Sequence, residues 1–175
     1  MTRKPLIALN KLTEDWKENF IHVHMPWKIS QLRAYIKYGT LDSKDRKIGA
    51  ALDLSTSVAG RMLLEFLGIR LGGESLKKKT PTNHDIWIKH FDKEPVNIKA
   101  ELKDEDQKVL IDFLHRSNKI AHVTYDFRME DDGKRDGHES IPDAVRIIER
   151  LLKDHFYTPL GLELLDCDDL ETMKR

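Results

Sequence analysis

Cysteine is almost missing from this chain: Cys167 is the only one in 175 residues. No intramolecular disulfide can form, and a reducing, cytoplasmic setting is the natural expectation. An excess of charge of one sign is missing too, because 30 Lys and Arg residues are balanced by 30 Asp and Glu. Without an overall positive field to hold a phosphate backbone, any contact with nucleic acid has to be local. Long apolar runs are absent: no uncharged stretch approaches the ~20 residues of a membrane span. Met1 to Leu12 carries basic residues but no sustained apolar core, so a soluble protein without a membrane partner is expected. Gly72-Gly73 neither follows an evident strand nor opens a helix, which leaves a phosphate-cradling glycine loop unsupported. No Gly-x-Ser-x-Gly elbow occurs and the lone cysteine lies in an acidic tail, so nucleophilic catalysis is disfavoured; no motif calls for a cofactor.

What the chain does contain is helical periodicity. A chain of this length suits one domain with its own core. The pattern divides it into an N-terminal arm (1–26), a helical-bundle domain (27–157) and a C-terminal tail (158–175). In the arm, Leu12, Trp16 and Phe20 align on one face of a short helix that Asn10 could cap. His22 and His24 alternate around Val23 as in an extended segment, where both rings would share one side. Ile29, Leu32, Tyr35 and Ile36 mark a helix over Trp27–Tyr38, ended by Gly39. A longer helix over Ser43–Leu67, with Asp42 at its start and Gly68 at its end, repeats Ile48, Ala51, Leu52, Ser55, Val58, Ala59, Met62, Leu63 and Phe66 as its core stripe.

Periodicity then fails from Ile69 to Ala100, a long irregular insertion in which Ile86 with Ile88 and Val96 with Ile98 could form two short strands. Lys77-Lys78-Lys79 reads as a solvated loop or a phosphate contact. Asp104 and Gln107 open a third helix, Asp104–His122. A charged loop follows, and Ser140 with Pro142 opens the last helix, Ser140–Tyr157, stopped by Pro159 and Gly161. Four helices with one apolar stripe each predict a mainly α fold, most economically a four-helix bundle.

Chemistry concentrates at the end of the third helix, in His115-Arg116-Ser117-Asn118-Lys119-Ile120-Ala121-His122. At about 100° per residue, His115, Asn118 and His122 form one polar stripe, while Arg116 sits about 120° round the axis and roughly 9 Å from His122. The two meet only if the helix ends early or if two copies pack these ends together.

An arginine, a polar residue and a histidine four to six positions after the arginine resemble the motif of the HEPN superfamily, and Arg116-Ser117-Asn118-Lys119-Ile120-Ala121-His122 has that form. Residues 1–26 and 69–100 find no counterpart in it. The resemblance implies a HEPN-like bundle acting as a homodimer. In catalytic members it implies metal-independent RNA cleavage at a composite dimer cleft: His122 as acid/base, Arg116 as phosphate clamp, Ser117 or Asn118 as the orienting polar group, with His115 and Lys119 as binding residues. A histidine titrating near neutrality could move the 2′-hydroxyl proton while arginine stabilises charge on phosphorus. Many members are non-catalytic interaction modules that bind RNA, nucleotide or another chain, and the same residues fit that class. Whether this chain is an enzyme stays open in its sequence.

Simpler roles fit as well. Asn118 and His122 could hydrogen-bond each other or cap the helix, and Arg116 could pair with Asp112 one turn earlier. Arg61 and Glu65 suggest a surface ion pair. A metal set of His115, His122 and Asp112 or Asp126 is disfavoured, because a spacing of seven between histidines exceeds the i,i+4 pair of helical zinc sites. Met62, Leu64 and Trp87 are candidates for an apolar face that another chain covers.

Overall fold

The computed structural model describes residues 12–38, 46–80, 82, 85–121 and 140–164. Within them Thr13, not Asn10, starts the first helix, its hydroxyl accepting the Trp16 N–H at 3.3 Å. Helix α1 (Glu14–Asn19) passes through a wide π turn (Phe20–His24) into α2 (Met25–Tyr38) without a break. Pro26 does not interrupt the run. It has no N–H to offer the preceding turn, and the π turn, closed by the Met25 N–H on the Phe20 carbonyl, gives the ring room. The extended reading of His22 and His24 is therefore corrected: in a helical turn residues two apart point to nearly opposite sides. His22 faces Glu18 at 3.2 Å, and the ring of His24 lies 6.2 Å from that of Phe20.

Helix α3 (Arg46–Phe66) packs along α2 and α5 (Asp104–Ala121), and α6 (Ile141–Leu152) closes the same core. The long helices α2, α3, α5 and α6 thus contribute Leu32, Leu63, Phe113 and Ile148, all fully buried, to one hydrophobic cluster. Thr56 clamps α3 to α2: it is buried, and its hydroxyl both donates to the Gln31 carbonyl and accepts the Tyr35 N–H. Where the helices come closest, Gly60 has no room for a side chain. A Cβ there would lie 2.5 Å from the Phe113 ring and 3.1 Å from Leu32.

The segment between α3 and α5 is part of this core. Its strands β1 (Ile69–Leu71) and β2 (Leu76–Lys78) pair antiparallel, with Arg70 opposite Lys77. These are not the strands expected. Ile88 opens a 3₁₀ turn (Ile88–Phe91), and Ile98 opens the four-residue α4 (Ile98–Glu101). Alternation over two residues was too short to separate a strand from a buried turn. Gly72-Gly73 does follow a strand, but as the hairpin turn leading to β2, with Gly73 at φ 68° and no helix after it. Gly68 ends α3 at φ 88°, packed so closely on Pro95 that a Cβ would lie 2.7 Å from the proline.

Four phenylalanines from distant segments meet at one end: Phe20 from the π turn, Phe66 from α3, Phe91 from the 3₁₀ turn and Phe156 from the turn after α6. Phe156 stands edge-on to Phe66 at 5.0 Å and to Phe91 at 5.1 Å, the orientation the ring quadrupole favours. Phe20 and Met25 are buried with them, so residues before Trp27 share the core of the long helices. The chain ends α6 in a second π turn (Lys153–Tyr157) and a 3₁₀ turn (Thr158–Leu160), and Gly161 at φ 71° closes it, as Pro159 and Gly161 predict. Burial pushes the Tyr157 hydroxyl up to about 12, against a smaller opposing pull from Arg33.

One face of α3 is not covered. Ile48, Val58 and Met62, expected in its core stripe, are 57%, 37% and 47% exposed. The helix carries apolar residues on two sides, so spacing alone could not tell the buried arc from the open one. Leu64, a candidate for an open face, is fully buried.

Candidate functional site

The helix α5 places Arg116, Ser117 and Asn118 against α3, where they meet a polar stripe the apolar pattern had hidden. Asp53, Ser57, Arg61 and Glu65 are each four residues apart. A four-residue step overshoots one turn by about 40°, so the stripe winds from the buried side of α3 towards solvent. Asp53 and Ser57 are accordingly buried, and the side chains of Arg61 and Glu65 are half-exposed.

Each of the three α5 residues has its partner on this stripe. Arg116 forms an ion pair with Asp53 through both its Nε, at 3.3 Å from Oδ1, and a terminal nitrogen. Only 10% of the Arg116 side chain and 6% of the Asp53 side chain reach solvent. Ser57 donates to the same carboxylate at 3.3 Å. Ser117 is fully buried and donates to the Ser57 carbonyl at 3.1 Å. Asn118 accepts from Arg61 at 2.8 Å, and Arg61 pairs with Glu65 at 3.0 Å. Glu65 also receives Lys79 at 2.6 Å. Burial pushes the Glu65 carboxyl up, but the hydrogen bonds and charges of Lys79 and Arg61 together hold it below its usual range. Lys79 reaches Asp85 at 3.4 Å as well, so the last of the three consecutive lysines is neither a loop residue in open solvent nor a bare cation.

The expected partner of Arg116, Asp112, gives way to a carboxylate 63 positions away. Asp112 is exposed. His115 and Lys119 share the outer face: His115 is half-exposed with its Nε2 3.4 Å from Glu74 of the hairpin turn, and Lys119 is exposed. His122 lies outside the described residues, as do Asp126, Cys167, the helix start expected at Asp42 and the charged loop before Ser140. Arg116, Ser117 and Asn118 are thus brought together with α3, while the convergence of Arg116 with His122 falls outside what is described. Among the described residues no three histidine, cysteine or carboxylate side chains group as metal ligands do.

The seam joins helices. A guanidinium enclosed with a carboxylate and a serine has its charge balanced in place, and reaching a phosphate would require it to give up this buried ion pair with Asp53. Asp53 and Ser57 are the residues missed in the sequence. Their signal was the four-residue polar repeat inside an apolar helix, which becomes meaningful only opposite a second helix carrying an arginine and a serine.

The fold and the seam define a mainly helical protein with a small antiparallel hairpin. Among the described residues no helix is long and apolar enough to cross a membrane. No protein-family model, curated protein or solved structure matches the chain.

Proposed function

We propose that this chain is a HEPN-like four-helix-bundle protein that acts in the cytoplasm as a non-catalytic homodimeric module, binding RNA or a nucleotide through local surface contacts. The observation that carries this reading is the enclosure of Arg116 with Asp53. The arginine that would clamp phosphate in a nuclease of this kind serves here as a strut between α3 and α5. Ser117, the orienting candidate, is likewise turned inward to the Ser57 carbonyl. On this reading a ligand meets the outer face of α5, where Lys119 is exposed one turn beyond His115, whose Nε2 is turned in beside Glu74. An exposed lysine suits a phosphate contacted locally, in keeping with a chain of no net charge.

The test is incubation of the purified protein with mixed single-stranded RNA in EDTA, alongside His122→Ala and Lys119→Ala. The expected result is binding without cleavage, weakened several-fold by Lys119→Ala and weakened further by salt. Cleavage in EDTA that disappears in His122→Ala would overturn the proposal and establish a metal-independent endoribonuclease with a composite Arg/His site.

A further inference from the structure

The open face of α3 continues onto α2 as an apolar groove of about 450 Å³, with Trp27 and Lys28 on one wall and Leu54, Ser55, Val58 and Met62 on the other. Trp27 is 57% exposed and Leu54 45%, as large as the exposures of Val58 and Met62. A row of half-exposed large apolar side chains on two adjacent helices is unusual on a surface that water is meant to cover.

The geometry points to a second copy of this chain as the occupant: α3 of one protomer lies antiparallel across α3 of its partner, with the twofold axis beside Ser55 and each Val58 set into the other's groove. This rests on the homodimeric reading above and names the face that makes the dimer. Two observations select a copy over an unrelated chain.

The first is area. With side chains that bury about 150–250 Å² when enclosed, the exposed parts of Trp27, Leu54, Val58 and Met62 sum to roughly 400 Å². Ile48, 57% exposed and two turns before Ser55 on the same side of α3, extends the strip. A standard interface buries about 800 Å² per partner, and about 65% of a homodimer interface is apolar, or about 500 Å². The face supplies what one side of such a dimer needs.

The second is charge. An isologous contact sets a face against itself, so its own charges must not collide. Among the described residues Lys28 is the only charged side chain lining the groove, and its ammonium is drawn back over Trp27, 5.6 Å from the ring, and to the sulfur of Met62 at 3.6 Å. Met62 is seven residues from Ser55, about 10 Å along the helix, so a twofold at Ser55 separates the two Lys28 groups by roughly 20 Å. That is beyond the ~8 Å screening length of physiological salt, and the two faces meet without repulsion.

The experiment measures solution mass over a concentration series by sedimentation for the wild type, Val58→Glu, and Ser55→Cys in a Cys167→Ser background treated with a short bis-maleimide. A dimer is expected, with its dissociation constant raised at least about 100-fold by Val58→Glu, which would bury a carboxylate without a charged partner in the other's apolar groove. The Ser55→Cys protein should cross-link to a dimer in high yield. Far-UV circular dichroism confirms that Val58→Glu is folded. A wild-type dimer that Val58→Glu leaves intact and Ser55→Cys does not cross-link would overturn this face while leaving the homodimer standing. A wild type that is monomeric throughout overturns both.

Discussion

The ion pair of Arg116 with Asp53 permits a demanding test, because removing one partner and replacing both should have opposite effects. Arg116→Met takes the guanidinium from an Asp53 carboxylate that is 6% exposed, while Ser57 still donates to it at 3.3 Å. Breaking a buried pair in this way costs about 3–5 kcal/mol. For a chain of this size each kcal/mol lowers the melting temperature by roughly 2–4 °C, so Arg116→Met should melt roughly 6–20 °C below the wild type. Asp53→Leu should be similarly damaging, since it takes the buried carboxylate from the Arg116 guanidinium and removes the acceptor of the Ser57 hydroxyl. The double variant Asp53→Leu/Arg116→Met removes both charges and fills the space with apolar atoms, so most of the loss should be recovered. Urea and thermal denaturation of the four proteins followed by circular dichroism give the coupling between the two sites, which for single losses of about 3–5 kcal/mol each and a double loss of about 1 kcal/mol comes to roughly 5–9 kcal/mol in favour of the pair. The reasoning is refuted if Arg116→Met melts within about 2 °C of the wild type. An Arg116→Met protein of wild-type stability that no longer binds RNA would place the guanidinium at a ligand instead.

Three further outcomes follow from the packing and the titrating groups. Gly68→Ala should destabilise by about 1–3 kcal/mol in urea denaturation, since alanine is strained at φ 88° and its methyl would press on Pro95; an unchanged midpoint would show that the α3 terminus yields. Glu65 is held below its ordinary value of 4.5, so its contribution is complete above that pH and is lost as pH falls through its lower folded value. The melting difference between wild type and Glu65→Gln should therefore shrink from pH 7 to pH 3, and a constant difference would contradict the Lys79–Glu65–Arg61 account. His90 is held below 6.5 by burial and then by the charge of Lys17, and its Nδ1 accepts the Trp87 N–H at 3.2 Å, which protonation there would break. Its contribution is complete above pH 6.5 and declines as pH falls from there. A titration by NMR should give a midpoint under 6.5, and His90→Gln should flatten the stability profile over that window.

The local elements were largely legible. The three-four spacing of apolar residues marked α2, α3, α5 and α6, with Gly68 and Gly161 ending their segments at positive φ. The pairing Arg61–Glu65 was legible for the same reason, because its members are one turn apart. The π turn at Phe20–His24, the hairpin and the 3₁₀ turn at Ile88 were not. Each is a short element whose conformation depends on what it packs against, as Phe91 does on Phe156. In the candidate site, Arg116, Ser117 and Asn118 were visible as an unusual run of polar residues, yet their partners on α3 were not.

The sequence by itself determined a mainly helical chain and the composition of the α5 run, because helical periodicity and turn residues act over distances of a few positions. Only the tertiary structure decided that Asp53 neutralises Arg116 and that Gly60 admits Phe113. It alone decided that one apolar arc of α3 is buried while the arc through Val58 and Met62 faces outward. A helix apolar on two sides carries no mark of which side its neighbours will take, and a buried charge is paired by whichever carboxylate the packing of two helices brings within reach.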